Sequence, residues 1–109
     1  MIKSHGNTYP EKLWFEFYCN DIPIGRFKAE DEGDFISIWN LSIDKEFRNK
    51  GFGKQLMSEL VDYFRNLGVS KLWLCVSSNN IPAQKIYETS GFIYEKNNIQ
   101  SIKTMVKIL

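Results

Sequence analysis

The spacing of hydrophobic positions changes along the chain from a strand-like pattern to a helical one and back. Short apolar runs, some alternating with polar residues, predict six strands. These runs cover residues 13–19, 23–29, 35–43, 71–76, 92–95 and 101–108. Between the third and fourth runs the apolar residues recur every three or four positions, which is typical of one face of an α-helix. They are Phe52, Leu56, Met57, Leu60, Val61 and Phe64.

Glycine and proline mark the limits of two predicted helices. The first begins at about Gly51 and ends at Gly68, because glycine readily takes the left-handed conformation that terminates a helix. The second opens at Pro82, whose missing N–H costs nothing in a first helical turn. It continues to about Thr89, and Gly91 follows its end.

The order of the elements predicts the architecture. The central strand–helix–strand unit should be a right-handed crossover that makes the third and fourth strands parallel. Turns at Asn20–Asp21 and Asn97–Asn98 predict antiparallel hairpins on either side, and the acidic segment 30–34 is expected to be a solvated turn. The fold class is therefore α/β, a single domain over residues 1–109 with a mixed sheet. The third strand is expected at its centre, with a ligand where that strand leads into the helix.

Composition narrows the classes of function. The chain has 109 residues and a formal net charge of +1, which indicates one domain and argues against nucleic acid as a partner. It has no apolar run long enough to cross a bilayer and no secretory signal, so we expect no membrane association and a cytoplasmic location. Cys19 and Cys75 lack metal or redox spacing and are expected to be free buried thiols. His5 is too isolated to hold a metal, and we expect it at the surface.

Residues 47–54, Phe-Arg-Asn-Lys-Gly-Phe-Gly-Lys, are the most informative stretch of the chain. A helix start offers free N–H groups and the positive end of a dipole, and glycine lacks the Cβ that would keep a phosphate away. The spacing fits neither a Walker loop, since Arg48 stands where its first glycine is needed, nor a dinucleotide fingerprint, since Leu56 replaces its third glycine. A turn that merely lets a helix start is an equally good interpretation of this segment alone.

The surroundings of this glycine loop resemble the acetyl-CoA-binding motif of the GNAT superfamily of acetyltransferases. Arg48-x-x-Gly51-x-Gly53 follows a strand that ends at Ile43 and precedes an amphipathic helix. A second element lies on the next strand–helix unit, and it reads Asn80-x-x-Ala83-x-x-x-Tyr87-x-x-x-Gly91-Phe92. The two elements occur in the order and at the spacing of the family, and the resemblance covers residues 13–109.

The resemblance implies acetyl-CoA as co-substrate and no metal. Main-chain N–H groups of the loop would hold the pyrophosphate, and the edge of the third strand would pair with the pantetheine arm like an added strand. Asn80 would bind a pantetheine amide from the other side, although the local sequence equally favours a helix N-cap. The cofactor-binding residues implied are Leu41, Ile43, Arg48, Asn49, Lys50, Gly51, Phe52, Gly53, Lys54 and Asn80.

The resemblance assigns the chemistry to Tyr87, which would donate a proton to the thiolate leaving from CoA. A phenol of ordinary pKa is protonated at neutral pH and can act as that acid. The alternative is a core aromatic on an amphipathic helix. The implied function is transfer of an acetyl group from acetyl-CoA to a primary amine of a small molecule or protein, by direct attack on the thioester. The competing hypothesis is a non-catalytic acyl-CoA sensor or scaffold.

Two features depart from the family pattern. The third strand, a usual source of the general base, has no carboxylate, and Glu16, Glu30 and Asp44 are more simply surface charges, so we assign no base. Residues 1–12 are too few for the strand and two helices that usually wall the acceptor site. We therefore expect that site to be open, completed by another subunit, or filled by a large partner such as a protein terminus. Three aromatics would suit a homodimer face, although core packing is the plainer interpretation: Trp14, Tyr18 and Trp39.

Overall fold

Seven strands in one sheet and two helices make up the computed structural model, which describes residues 2–9, 12–96 and 101–109. The strands are β1 Ile2–Tyr9, β2 Lys12–Cys19, β3 Ile22–Asp31, β4 Ile36–Ile43, β5 Lys71–Ser77, β6 Ile93–Tyr94 and β7 Ile102–Ile108. The helices are α1 Phe52–Asn66 and α2 Ile81–Thr89, with a short 3-10 helix at Lys45–Phe47. The mixed α/β class is confirmed.

The strand directions agree with the sequence pattern. The sheet order is β1-β2-β3-β4-β5-β7-β6, so β4 is central, and it runs parallel to β5. The β2–β3 and β6–β7 pairs are antiparallel. Asn20 and Asp21 join β2 to β3 with φ angles of 50° and 66°, both left-handed as a type I′ hairpin turn requires. The turn predicted at Asn97–Asn98 lies outside the described residues.

Two strand limits differ from the predictions. No strand was predicted before residue 13, yet β1 at Ile2–Tyr9 pairs antiparallel with β2 along the edge of the sheet. Main-chain pairing sustains this strand although its sequence has little alternation. β2 begins three residues after β1 ends. Glu30 and Asp31, expected in a solvated turn, extend β3 because they pair with Ser37 and Ile36 of β4.

The core forms between one face of the sheet and the apolar stripe of α1. Phe15 and Phe27 stack with ring centroids 4.8 Å apart, and Phe64 of α1 meets both rings edge-on. Burial of this stripe confirms the predicted helix, since five of its six apolar positions are inside: Leu56, Met57, Leu60, Val61 and Phe64.

Two expectations about burial are wrong. Trp14 and Trp39 were expected to pack in the core, but their side chains are 37% and 38% exposed. Neighbouring residues of a strand point to opposite faces of the sheet, and these two lie on the face away from the core. Tyr18 is half-buried. Cys19 and Cys75 are free thiols as predicted, but both are only half-buried.

The position of the candidate site is set by β4, which separates from β5 after a few residues. Their parallel pairing runs only from Ile36–Leu72 to Ile38–Leu74. Just beyond this pairing, Asn40 has a left-handed φ of 54° within an irregularity of the β3–β4 register. A bulge of this kind bends the strand that carries it. The last residues of β4 therefore present an open edge toward β5.

Candidate active site

A cavity of about 400 Å³ occupies the gap beside this open edge. The end of β4, the glycine loop and the first turns of α2 enclose it. Its lining residues are Leu41, Ser42, Ile43, Phe47, Arg48, Asn49, Gly53, Asn80, Pro82, Ala83, Ile86 and Tyr87. Six predicted site residues besides Tyr87 therefore meet in one cavity: Leu41, Ile43, Arg48, Asn49, Gly53 and Asn80.

The glycine loop leaves a row of main-chain N–H groups without partners. Asn49 and Gly51 have left-handed φ angles of 62° and 85°, and Gly51 is the residue from which α1 begins. The first helical hydrogen bond is donated by Gln55 N–H to the Gly51 carbonyl. Within the described part of the chain, no acceptor is found for the N–H groups of residues 49–54. Such a row at a helix N-terminus is suited to bind an anion.

Gly53 brings the start of α1 close to α2. A Cβ placed on Gly53 would lie 3.0 Å from the Cδ1 atom of Ile86, a residue that lines the cavity. Any larger side chain at this position would have to displace Ile86. The glycine therefore maintains the cavity as well as the loop.

The hydrogen bonding of β4 directs its last main-chain groups into the cavity. Asp44 N–H donates to the Ile24 carbonyl of β3 at 2.8 Å, so alternation turns the main-chain groups of Ile43 away from β3. The Ile43 carbonyl accepts a 2.8 Å hydrogen bond from Arg48 Nε on that open side. This bond also ties the loop to the strand.

Asn80 caps α2 and also lines the cavity, so the two roles that the sequence left open are compatible. Its Oδ1 accepts a hydrogen bond from Ala83 N–H at 3.2 Å, which confirms the helix N-cap. The same side chain lines the cavity. Because the cap uses the oxygen, the Nδ2 amide remains as the donor that a ligand carbonyl can meet.

Tyr87 lies where two cavities meet. A second cavity of about 250 Å³ lies between the separated parts of β4 and β5 and shares Leu41, Asn80 and Tyr87 with the first. Tyr87 is 7% exposed, and no hydrogen-bond partner of its hydroxyl is found among the described residues. Burial, followed by the nearby Cys75, raises the pKa of Tyr87 above its ordinary value of 10.0. The phenol is therefore protonated at neutral pH.

Other predicted residues lie at the rim or elsewhere. Gly51 and Lys50 are exposed in the loop and do not line the cavity, and Phe52 packs edge-on against Phe47. The Lys54 side chain faces a separate groove beside Arg65. The acidic candidates Glu16, Glu30 and Asp44 line neither cavity, and Asp44 forms a bidentate ion pair with Arg26.

Several lining residues were missed by the sequence analysis. Pro82, Ala83 and Ile86 could have been found, because they share the first turns of α2 with Asn80 and Tyr87. Trp39 and its neighbours could not have been found from the sequence, because the bulge that brings them to the second cavity has no clear sequence signal. These second-cavity residues are Trp39, Asn40, Cys75 and Ser77.

Metal-binding and membrane-spanning features are both lacking in the described residues. No group of three or more metal-ligating side chains is placed there to hold an ion. No helix in this part of the chain is long and apolar enough to cross a membrane.

Comparison with known proteins identifies the class. A sequence model of the Acetyltransferase (GNAT) family matches residues 6–92, and the chain therefore belongs to the GNAT family. The predicted resemblance is confirmed.

Individual relatives agree with this assignment. A ribosomal protein bS18-alanine N-acetyltransferase of Haemophilus ducreyi is 37% identical over 59 residues, which cover 54% of this chain and 41% of the relative. The chain thus spans about two-fifths of that protein's length.

Two solved structures share the fold. A GNAT family acetyltransferase of Elizabethkingia anophelis with acetyl-CoA bound superimposes with a TM-score of 0.83 at 15% identity, over 100% of this chain and 97% of its own. An acetyltransferase of Bacillus subtilis in complex with CoA gives a TM-score of 0.82 at 16% identity, over 99% of this chain and 97% of its own. At this level of identity the likeness concerns the fold.

Proposed function

We propose that this chain is an acetyl-CoA-dependent N-acetyltransferase that acts on a primary amine. The observation that carries the proposal is the row of unpaired N–H groups at residues 49–54, beside the open edge of β4 and next to Tyr87. These features provide, in one place, a diphosphate site, a partner for an extended amide chain and a proton donor.

The CoA diphosphate binds at the glycine loop. Its oxygens accept hydrogen bonds from the N–H groups of residues 49–54, and the positive end of the α1 dipole adds favourable electrostatics. The exposed Arg48 and Lys50 supply positive charge at the same rim. The structures of the same fold from Elizabethkingia anophelis and Bacillus subtilis hold acetyl-CoA and CoA, which supports this choice of ligand.

The pantetheine arm lies between β4 and α2. Its amides pair with the main-chain groups of Leu41 and Ile43 as an added strand. Asn80 Nδ2 donates to a pantetheine carbonyl from the opposite wall. The thioester then lies at the junction of the two cavities, beside Tyr87.

Acetyl transfer requires one attack and one proton donation. The amine nitrogen attacks the thioester carbonyl from the second cavity, the oxyanion is stabilised by N–H groups near Leu41, and the carbon–sulfur bond breaks. Tyr87 gives its proton to the leaving thiolate, the attacking nitrogen releases a proton to water, and Tyr87 regains a proton from water. The products are an N-acetyl amide and CoA with a free thiol.

The acceptor is an α-amino group, such as the N-terminus of a polypeptide. No carboxylate or imidazole lines either cavity among the described residues, so the amine has to lose its proton without a neighbouring base. At pH 7 about a tenth of an α-amine is already neutral, against less than about one part in a thousand of a lysine side chain. The name of the Haemophilus ducreyi relative, a ribosomal protein alanine N-acetyltransferase, supports the same class of acceptor.

The lack of a base in the described lining also favours the second candidate, an acyl-CoA sensor without turnover. Thiol release from acetyl-CoA with peptides that carry a free or a blocked N-terminus separates the two. We expect release with the free α-amine, at a rate that rises with pH through a midpoint at about 8 and levels off above about 9, and little release with a lysine side chain alone. CoA binding without thiol release from any amine would favour the sensor.

A pair of matched glycine variants tests the diphosphate site. Gly51 and Gly68 both have a φ of 85° and open space where a Cβ would lie, but only Gly51 is in the loop. We expect Gly51→Ala and Gly68→Ala each to lower the free energy of unfolding by about 1–2 kcal/mol. Only Gly51→Ala should weaken CoA binding in calorimetry. If both variants were folded and bound CoA with equal affinity, the glycine loop would not be part of the diphosphate site.

Tyr87→Phe tests the proton donor. We expect kcat to fall by about 10²-fold while the Kd for acetyl-CoA stays within about twofold. Because burial raises the pKa of Tyr87 above 10.0, the wild-type rate should show no alkaline decline due to this residue up to about pH 9. Parallel loss of binding and rate would indicate a structural role for the ring instead.

A further inference from the structure

We propose that Trp39 is the specificity-determining residue for the acceptor, and that it selects acceptors with an uncharged group next to the attacking amine. This inference rests on the proposed function. It concerns the second cavity, which the amine has to enter to reach a thioester held beside Tyr87.

Trp39 stands at the mouth of this cavity. It follows Ile38, the last residue of β4 that pairs with β5, and it precedes the left-handed Asn40. Its side chain lines the second cavity and is 38% exposed, so part of the indole is available to a ligand. It does not line the larger cavity.

The indole is held in a fixed position. Its Nε1 donates a 2.8 Å hydrogen bond to Ser37 Oγ, and its ring centroid lies 5.4 Å from that of Trp73. Trp73 is in turn fixed by a 2.9 Å hydrogen bond from its Nε1 to Glu95. A ring that is ordered before binding loses little conformational entropy on contact with a ligand. The polar atom of Trp39 is already used, so the surface it offers is an apolar aromatic face.

The lining of the second cavity disfavours a charged side chain on the acceptor. Its described walls are apolar residues, the neutral polar groups of Asn40, Ser77, Asn80 and Tyr87, and the Cys75 thiol, with no charged side chain. An aspartate or lysine side chain beside the amine would lose water there without an opposite charge to pair with, which is costly. A small uncharged side chain, such as that of an N-terminal alanine, packs on the indole without that cost.

Trp14 provides a matched control. It is a tryptophan on β2 with almost the same exposure, 37% against 38%, and it lines neither cavity. A general effect of removing an exposed indole from the sheet would appear in both variants. An effect on the acceptor site would appear only at Trp39.

The test uses three peptides that differ only in their first residue, alanine, aspartate or lysine, with blocked side-chain amines elsewhere. We expect the wild type to prefer alanine over the two charged residues by at least about tenfold in kcat/KM. Trp39→Ala should raise the KM for the alanine peptide about tenfold and reduce the preference for alanine over the charged residues. Its KM for acetyl-CoA should stay within about twofold of the wild-type value. Trp39→Phe should retain most of the preference, and Trp14→Ala should match the wild type.

The proposal for Trp39 would be overturned if Trp39→Ala had normal turnover, an unchanged KM for the alanine peptide and an unchanged preference for alanine. The proposed function would remain intact in that case. The absence of thiol release from wild-type protein with every amine would overturn both. CoA binding to Trp39→Ala, measured by calorimetry, verifies that the variant is folded. If it is not folded, a higher KM for the alanine peptide in Trp39→Phe than in Trp14→Ala supports the proposal, and equal KM values in the two variants overturn it.

Discussion

The candidate site depends on main-chain hydrogen-bonding groups that the fold leaves unpaired in one region. Most backbone N–H and C=O groups in folded proteins are used within helices and sheets. Here the pairing of β4 with β5 stops after Ile38, and the chain then passes through three left-handed residues, Asn40, Asn49 and Gly51, before α1 begins. Both an open strand edge and an unpaired helix N-terminus follow from this path, and they adjoin the same cavity.

The separation of β4 from β5 also gives access from two sides. The larger cavity lies on the side of the glycine loop and α2, and the smaller one lies between the two strands. They share Tyr87, whose pKa is raised by burial. Two reactants that enter from different sides would therefore meet at Tyr87, the proposed proton donor, which is the geometry that a direct transfer between them requires.

Periodicity predicted the elements that bury an apolar face. The stripe of α1 and the Asn20–Asp21 turn follow from local rules, and the glycine motif located the loop. The edge strand β1 was missed, because main-chain pairing rather than side-chain burial holds an edge strand. The exposure of Trp39 was missed as well, since composition favours a core position for tryptophan and the bulge at Asn40 depends on tertiary pairing.

The central claim is that the N–H groups of residues 49–54 bind the diphosphate of CoA. Amide chemical shifts in ¹⁵N–¹H spectra test it directly, with CoA compared against pantetheine, which lacks the diphosphate. We expect CoA to shift the amides of residues 49–54, pantetheine to leave them nearly unchanged, and the amide of Gly68 to respond to neither. Binding of CoA with no shift at residues 49–54 would contradict the claim.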